Sequence, residues 1–312
     1  MKNLLKKICI VCAAAVVFTA LFASCDKAPE TTPAVPAVIT DQLGRTVTLT
    51  TPTPQRIISL SPSNTEILFA LGLDERIAGV TDYCNYPPEA KNKPSIGAYD
   101  TPNLEQLIAL NPDLVLATEV HEAKIIPQLE SKGITVIGLK PTSVNEVMAS
   151  ISLVGNATGK NTEAAKLVAD LQERIKGVAE KTGELADTDK SKVFYIIWHE
   201  PLWTAGSGTM HDELIQMAGG VNIAHNLTWY ADISLEAVIE ANPGVIIAGV
   251  GMGTGEDAPL LYAQTEPRLK DTDALKNNRV YSLDMDIVSR PGPRIVDALE
   301  KFLAAIHPEL SK

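Results

Sequence analysis

The stretch ATGKNTEAAKLVADLQERIKGVAEKTG, residues 157–183, reads from about Thr158 as a single long helix. Leu167, Val168, Leu171, Ile175 and Val178 fall on one stripe at helical spacing, and Glu163, Lys166, Asp170, Glu173, Lys176 and Glu180 fill the rest. Gly159 and the Asn161-Thr162 pair offer a start, and Gly183 a stop. Roughly 22 residues at about 1.5 Å each span about 33 Å, close to the width of a small domain. The two flanks carry similar α/β patterns. A stiff rod between two similar halves predicts two lobes facing each other across a cleft.

Before the helix, short apolar runs at Arg56–Leu60, Ile77–Val80, Leu114–Ala117 and Thr135–Gly138 read as strands separated by helices. After it, Val193–Trp198, Val245–Ala248 and Val280–Leu283 do the same, and His199–Gly208 reads as a loop holding Trp203. This alternation predicts an α/β fold of two Rossmann-like lobes with mostly parallel sheets, joined by the long helix. Ligands of such sheets sit beyond the carboxyl ends of the strands, here in the cleft between lobes. The expected boundaries are 40–157 for the N-terminal lobe, 158–184 for the linking helix and 185–312 for the C-terminal lobe. Asp41–Arg45 and Val47–Leu49 suggest a small opening hairpin. Ser63-Asn64-Thr65-Glu66 fits a capping box, which assigns Glu66 to a helix start.

An internal repeat ties the lobes together. NLEQLIALNPDLVLA (Asn103–Ala117) aligns without a gap to SLEAVIEANPGVIIA (Ser234–Ala248), at a constant offset of 131 residues. Two equivalent helix–turn–strand units put Glu105 and Glu236 at equivalent positions about a pseudo-twofold axis. Each acid falls in a first helical turn, where it suits the helix dipole. Alternatively, the two form a pair of exposed acids that dock on a two-fold symmetric, basic partner.

The ends and the charge narrow the class. Lys2, Lys6 and Lys7 precede an apolar run, Ile8–Ala23, too short for a comfortable membrane span, so 1–24 reads as a secretory signal. Phe22-Ala23-Ser24-Cys25 looks like a lipobox in which Cys25 is acylated; plain signal cleavage beside an incidental Cys is the other reading. Residues 25–39, rich in Pro, Thr and Ala, read as a lipidated tether. The signal holds three of the 27 basic residues and none of the 38 acids, so the mature net charge is about −14. That balance argues against nucleic acid and anionic lipid surfaces as partners. With Cys9 and Cys12 in the signal and Cys25 lipidated, only Cys84 remains, and no intramolecular disulfide is possible.

The few aromatics concentrate near the expected cleft. Tyr83, Tyr86, Tyr99, Trp198, Trp203, Trp229 and Tyr230 follow strands or precede helices, which suits either a large flat amphipathic ligand or the anchoring of loops. His121, His199, His211 and His225 show no paired metal-ligand spacing, so no metal site is expected. His199, in Trp198-His199-Glu200-Pro201, is a candidate ligand contact at the cleft mouth. The Gly-rich loop Gly249–Gly255 is not a dinucleotide fingerprint, and neither GxxxxGK[ST] nor GxSxG occurs. No enzyme chemistry is expected.

RIISLSPSNTEILFALGL, VTDYCNYPPEA, NLEQLIALNPDLVLA, the long helix and SRPGPRIVDAL together resemble the substrate-binding protein of an ABC importer. The resemblance is to the rigid-helix group that handles cobalamin, ferric siderophores and haem, and it covers nearly all of the mature chain. Asp-Tyr-Cys-Asn-Tyr-Pro-Pro points most towards the vitamin B12 binders. The resemblance implies corrinoid contacts at Tyr83, Tyr99, Trp203 and Tyr230, and in the segment Asp286–Arg290. It also implies that Glu105 and Glu236 dock on arginines of a membrane permease, itself served by an ATPase. The implied protein is a monomer, lipid-anchored outside the cytoplasm, with a transported corrinoid in place of a cofactor. A ferric siderophore or haem binder of the same class is the alternative.

Overall fold

A computed structural model describes residues 37–251 and 257–311. The signal, the lipidation site Cys25, most of the tether and residues 252–256 of the Gly-rich loop lie outside the described residues.

The N-terminal lobe opens with a hairpin, β1 (Ala37–Thr40) paired antiparallel to β2 (Thr46–Leu49). β1 thus begins inside the stretch read as tether. Asp41 closes the turn by accepting from the backbone of Leu43 and Arg45 and from the Arg45 guanidinium. The sheet proper has the order β4-β3-β5-β6, built from β3 (Ile57–Ser59), β4 (Ile77–Val80), β5 (Leu114–Thr118) and β6 (Val136–Leu139). All its neighbours run parallel. Every residue of β5 is buried, as a strand covered on both faces requires.

The helix between β3 and β4, α1 (Pro62–Ala70), corrects the expected capping box. Its cap is Ser61, whose Oγ accepts from Asn64 N at 3.2 Å, with Pro62 in the first turn. Proline pre-sets the helical φ and has no N–H to satisfy, so the helix starts two residues before Ser63 could cap it. Glu66 is left free for another partner.

Three further helices complete the lobe, and a fourth leaves it. α2 (Leu104–Ala109) precedes β5, α3 (Ile125–Glu130) precedes β6, and α4 (Val144–Thr158) ends at Gly159 in the left-handed conformation, φ 74°. The chain turns at once into α5 (Asn161–Gly183), 23 residues long. Gly155 of α4 lies so close to Ala164 that a Cβ there would overlap it. Leu171 and Val178 of α5 are buried, and Leu167, Val168 and Ile175 pack beside them.

The C-terminal lobe repeats the plan. Its parallel sheet has the order β10-β7-β12-β13, from β7 (Lys192–Ile196), β10 (Val221–Asn222), β12 (Val245–Val250) and β13 (Val280–Asp284). Between β7 and β10 the chain makes an antiparallel excursion, β8 (Trp198–His199) and β9 (Leu202–Ala205), joined by β11 (Tyr230–Asp232). Trp203 therefore sits on a strand opposite Trp198, not in the loop expected. β8 and β9, two and four residues long, are too short to show the alternation by which strands are read.

The lobe's helices are α6 (Met210–Met217), α7 (Leu235–Ala241), α8 (Ala258–Thr265), α9 (Asp273–Lys276), α10 (Met285–Val288) and α11 (Ile295–Ile306). α11 carries the lobe's contact to the rod: Arg174 of α5 binds Asp297 at 2.6 Å and Glu300 at 2.6 and 2.9 Å. These carboxylates hold the Arg174 guanidinium well above its ordinary pKa.

The repeat persists in backbone detail. Asn103 and Ser234 cap α2 and α7 by accepting from Gln106 N and Ala237 N, each at 3.1 Å. Asn111 and Asn242 end the two helices at the same φ of 47°, and a proline follows each.

Candidate functional site

The carboxyl ends of the two sheets carry the aromatics. In the N-terminal lobe, Tyr83 and Tyr86 follow β4 and expose 57% and 43% of their surface. Tyr99 is more deeply set. Its hydroxyl is 3.2 Å from Thr118 Oγ1 at the end of β5, and its ring meets His121 edge-on at 5.6 Å. His121 Nε2 reaches the Tyr99 carbonyl at 2.6 Å, and Thr118 N donates to His121 Nδ1. Burial raises the Tyr99 hydroxyl pKa and lowers that of His121, so both stay neutral and act as hydrogen-bonding groups.

In the C-terminal lobe a cavity of about 590 Å³ opens where β7, β12 and β13 end. Ile197, Trp198, Trp203, Gly249, Gly251 and Met285 line it, with Asp232 and Glu200 as polar members. The two indoles are cross-strand partners and both are 43% exposed. Gly249 is required here: a Cβ would stand 3.0 Å from both Met285 Cγ and Tyr195 Oη. Beside this wall, Tyr230 is held by the buried His211, whose Nδ1 is 3.3 Å from the phenol oxygen and whose Nε2 is 3.1 Å from Ser289 Oγ. His211 stacks on Tyr195 at 4.7 Å, and burial pushes its pKa down to about 4.

Between the walls lies a charged cluster drawn from both lobes. Arg294 makes a bidentate pair with Glu66, 2.9 Å from Nε and 2.6 Å from Nη2, and its guanidinium stacks 4.0 Å over the Tyr86 ring. Arg290 binds Asp286 at 2.6 Å, donates to Asn85 Oδ1 at 2.6 Å and reaches the Tyr83 carbonyl at 3.3 Å. Asn85 completes the ring by donating to Asp286 Oδ2 at 2.7 Å. Burial raises the Glu66 carboxyl pKa, against the pull of Arg294 and Arg290. Burial opposes the charge on Arg294 too, yet Glu66 holds its pKa above the ordinary value. Two acids and two arginines leave the cluster with no net charge.

The sequence pattern of periplasmic binding proteins matches residues 57–287. The chain belongs to that family. It is similar to the ABC transporter substrate-binding lipoprotein YvrC of Bacillus subtilis, 33% identical over 291 residues, covering 92% of this chain and 90% of the relative. Among solved structures it resembles the vitamin B12 binding protein BtuF of Vibrio cholerae, at 26% identity and a TM-score of 0.68, over 83% of this chain and 98% of that one. It resembles equally the haem-binding protein RhuT of Roseiflexus sp. RS-1, at 28% identity and a TM-score of 0.72, over 83% and 99%. The periplasmic binding protein is thus of the ABC-importer type, which implies a small-molecule ligand and a permease partner.

Within this binding protein, Tyr83, Asp286 and Arg290 stand together in the inter-lobe cluster, and Trp203 lines the C-lobe cavity. Tyr99 sits at the end of β5, and Tyr230 packs on Trp229 and His211 beside the cavity lining. The His199 ring packs between its neighbour Trp198, with ring centroids 5.0 Å apart, and Tyr262 of α8 at 5.8 Å. Its Nδ1 is buried without a hydrogen-bond partner, and it is not among the cavity-lining residues. Glu105 and Glu236 are exposed at the starts of α2 and α7; Glu236 has Arg268 at 3.6 Å. No cluster of three or more His, Cys, Asp or Glu able to hold a metal occurs among the described residues. No helix among them is long and apolar enough to cross a membrane.

The site role of Glu66 and Asn85 had no local signal, since their partners are 228 and 205 residues away. Glu66 instead imitates a capping residue in sequence.

Proposed function

We propose that this periplasmic binding protein captures cobalamin or a related corrinoid between its lobes and delivers it to an ABC permease. The observation that carries this reading is the pairing of both cleft arginines: Arg290 with Asp286 and Arg294 with Glu66, each at 2.6 Å. A polar base without net charge, beneath exposed Tyr83, Tyr86, Trp198 and Trp203, suits a large flat ligand fringed with neutral amides. A corrin has that chemistry. Haem carries carboxylates, which would favour an arginine not already neutralised. Similarity to a vitamin B12 binding protein supports the same choice.

In this reading Tyr83, Tyr99, Trp203 and Tyr230 contact the macrocycle, Asp286 and Arg290 its amides, and His199 supports the wall from behind. Glu105 and Glu236 dock on permease arginines, one from each lobe. Cys25 carries the lipid anchor, and the lobes divide at the helix 158–184. The protein works as a monomer and catalyses nothing.

Haem is the second reading, favoured by the exposed Tyr83 phenol as a potential iron ligand and by the likeness to RhuT. Calorimetric titration of the mature chain with cyanocobalamin, cobinamide, haemin and a ferric hydroxamate separates them. Saturable one-to-one binding of a corrinoid alone is expected. Binding of haemin or the hydroxamate alone overturns the corrinoid assignment and leaves the importer class intact.

A further inference from the structure

Asp286 and Arg290 of the C-terminal lobe are held by groups of the other lobe. Besides Asp286, the polar partners of the Arg290 guanidinium, Asn85 Oδ1, the Tyr83 carbonyl and Glu66 at 3.6 Å, belong to the N-terminal lobe. Asp286 is oriented by Asn85 at 2.7 Å from across the cleft, and its carbonyl accepts from Arg294, which Glu66 fixes. The segment between them packs tightly on α1: a Cβ at Gly292 would lie 3.3 Å from the Ser63 carbonyl oxygen and 3.5 Å from Glu66 Oε2. Arg290, Arg294 and Glu66 are nearly buried, with side chains 13%, 12% and 2% exposed. Water does not replace a lost partner at such depth without rearrangement.

We propose that Glu66 and Asn85 are positioning residues: from the N-terminal lobe they hold Asp286 and Arg290 in the geometry that meets the ligand. The polar base of the cleft therefore exists only while the lobes stay together. Hydrogen bonds weaken steeply beyond about 3.5 Å, so parting the lobes by roughly 1–2 Å at this point breaks the whole set. This inference rests on the proposed function for the identity of the ligand, but not for the positioning itself.

The test uses the full mature chain, Asn85→Ala, Glu66→Gln and the conservative Glu66→Asp. Amide hydrogen exchange of the ligand-free proteins is followed in residues 284–294, with α5 as internal control, beside calorimetry with cyanocobalamin. Asn85 is only half-buried, so Asn85→Ala keeps the test alive should Glu66→Gln fail to fold. Exchange in 284–294 should rise about tenfold in Asn85→Ala and Glu66→Gln while α5 stays unchanged, and cyanocobalamin affinity should fall about tenfold or more. Glu66→Asp, which keeps the charge, should recover part of both. Unchanged exchange in Asn85→Ala overturns the proposal, as does faster exchange with unaltered affinity. Should the wild-type chain bind no cyanocobalamin, the corrinoid reading falls, and exchange alone decides the positioning role.

Discussion

Lowering the pH should unfold this protein partly through one residue, His211. The imidazole is 2% exposed on α6, stacked on Tyr195 and tied to Tyr230 and Ser289. No carboxylate among the described residues is hydrogen-bonded to it, and burial pushes its pKa from 6.5 down to about 4. The unfolded chain takes up a proton near pH 6.5, whereas the folded one resists until about pH 4. Stability is therefore lost as pH falls through that window, and none is lost above it. The difference of about 2.5 pK units corresponds to about 3 kcal/mol. His121, with a lowered pKa, and Glu66, with a raised one, also titrate against burial, so the wild-type curve alone is not diagnostic. The decisive measurement is urea unfolding of wild type and His211→Gln between pH 7 and pH 4, with the two curves subtracted. The variant starts less stable at pH 7, having lost packing, but should lose about 3 kcal/mol less on acidification. Parallel curves would refute the claim that the native fold holds His211 neutral.

Gly206→Ala should destabilise the fold by about 1–3 kcal/mol, because a Cβ there overlaps the Leu227 carbonyl and lies 2.7 Å from its carbon, with only backbone to yield. Thermal unfolding reads this directly, and an unchanged midpoint contradicts it. Glu105→Ala and Glu236→Ala should leave cyanocobalamin affinity as it is and lower corrinoid uptake by cells roughly tenfold or more. Glu105→Ala should cost more, since Glu236 already has Arg268 beside it at 3.6 Å. Equal uptake by wild type and both variants would remove the docking role.

Within each lobe, the physics that builds the fold leaves local marks. Parallel strands covered on both faces need unbroken apolar runs, and VIIA and LVLA are such runs, repeated at one offset with their caps and turns. The rod was legible because its apolar stripe, Leu167 to Val178, recurs at helical spacing over about three turns. The β8–β9 hairpin was not, since its register pairs two tryptophans across strands too short to show a period. His199 shows the same limit. Its type and place in the chain suit a ligand contact, but its ring is taken up between Trp198 and Tyr262 and it does not line the cavity.

What joins the lobes leaves no such mark. Glu66 and Arg294 are 228 residues apart, and each has a sufficient local explanation: a glutamate near a helix start, an arginine before α11. The same holds for Asn85 in a Tyr-Pro-Pro turn. Only in three dimensions do these become one object, four charges cancelling in pairs and bound to one another across the cleft. That cancellation bears on function more than any single motif. A cleft that captures a carboxylate ligand by charge needs an arginine in excess, and the two here are already paired. The aromatic walls set the size and flatness of what can enter, and the paired charges set its polarity. A neutral ligand with many amides would meet both demands.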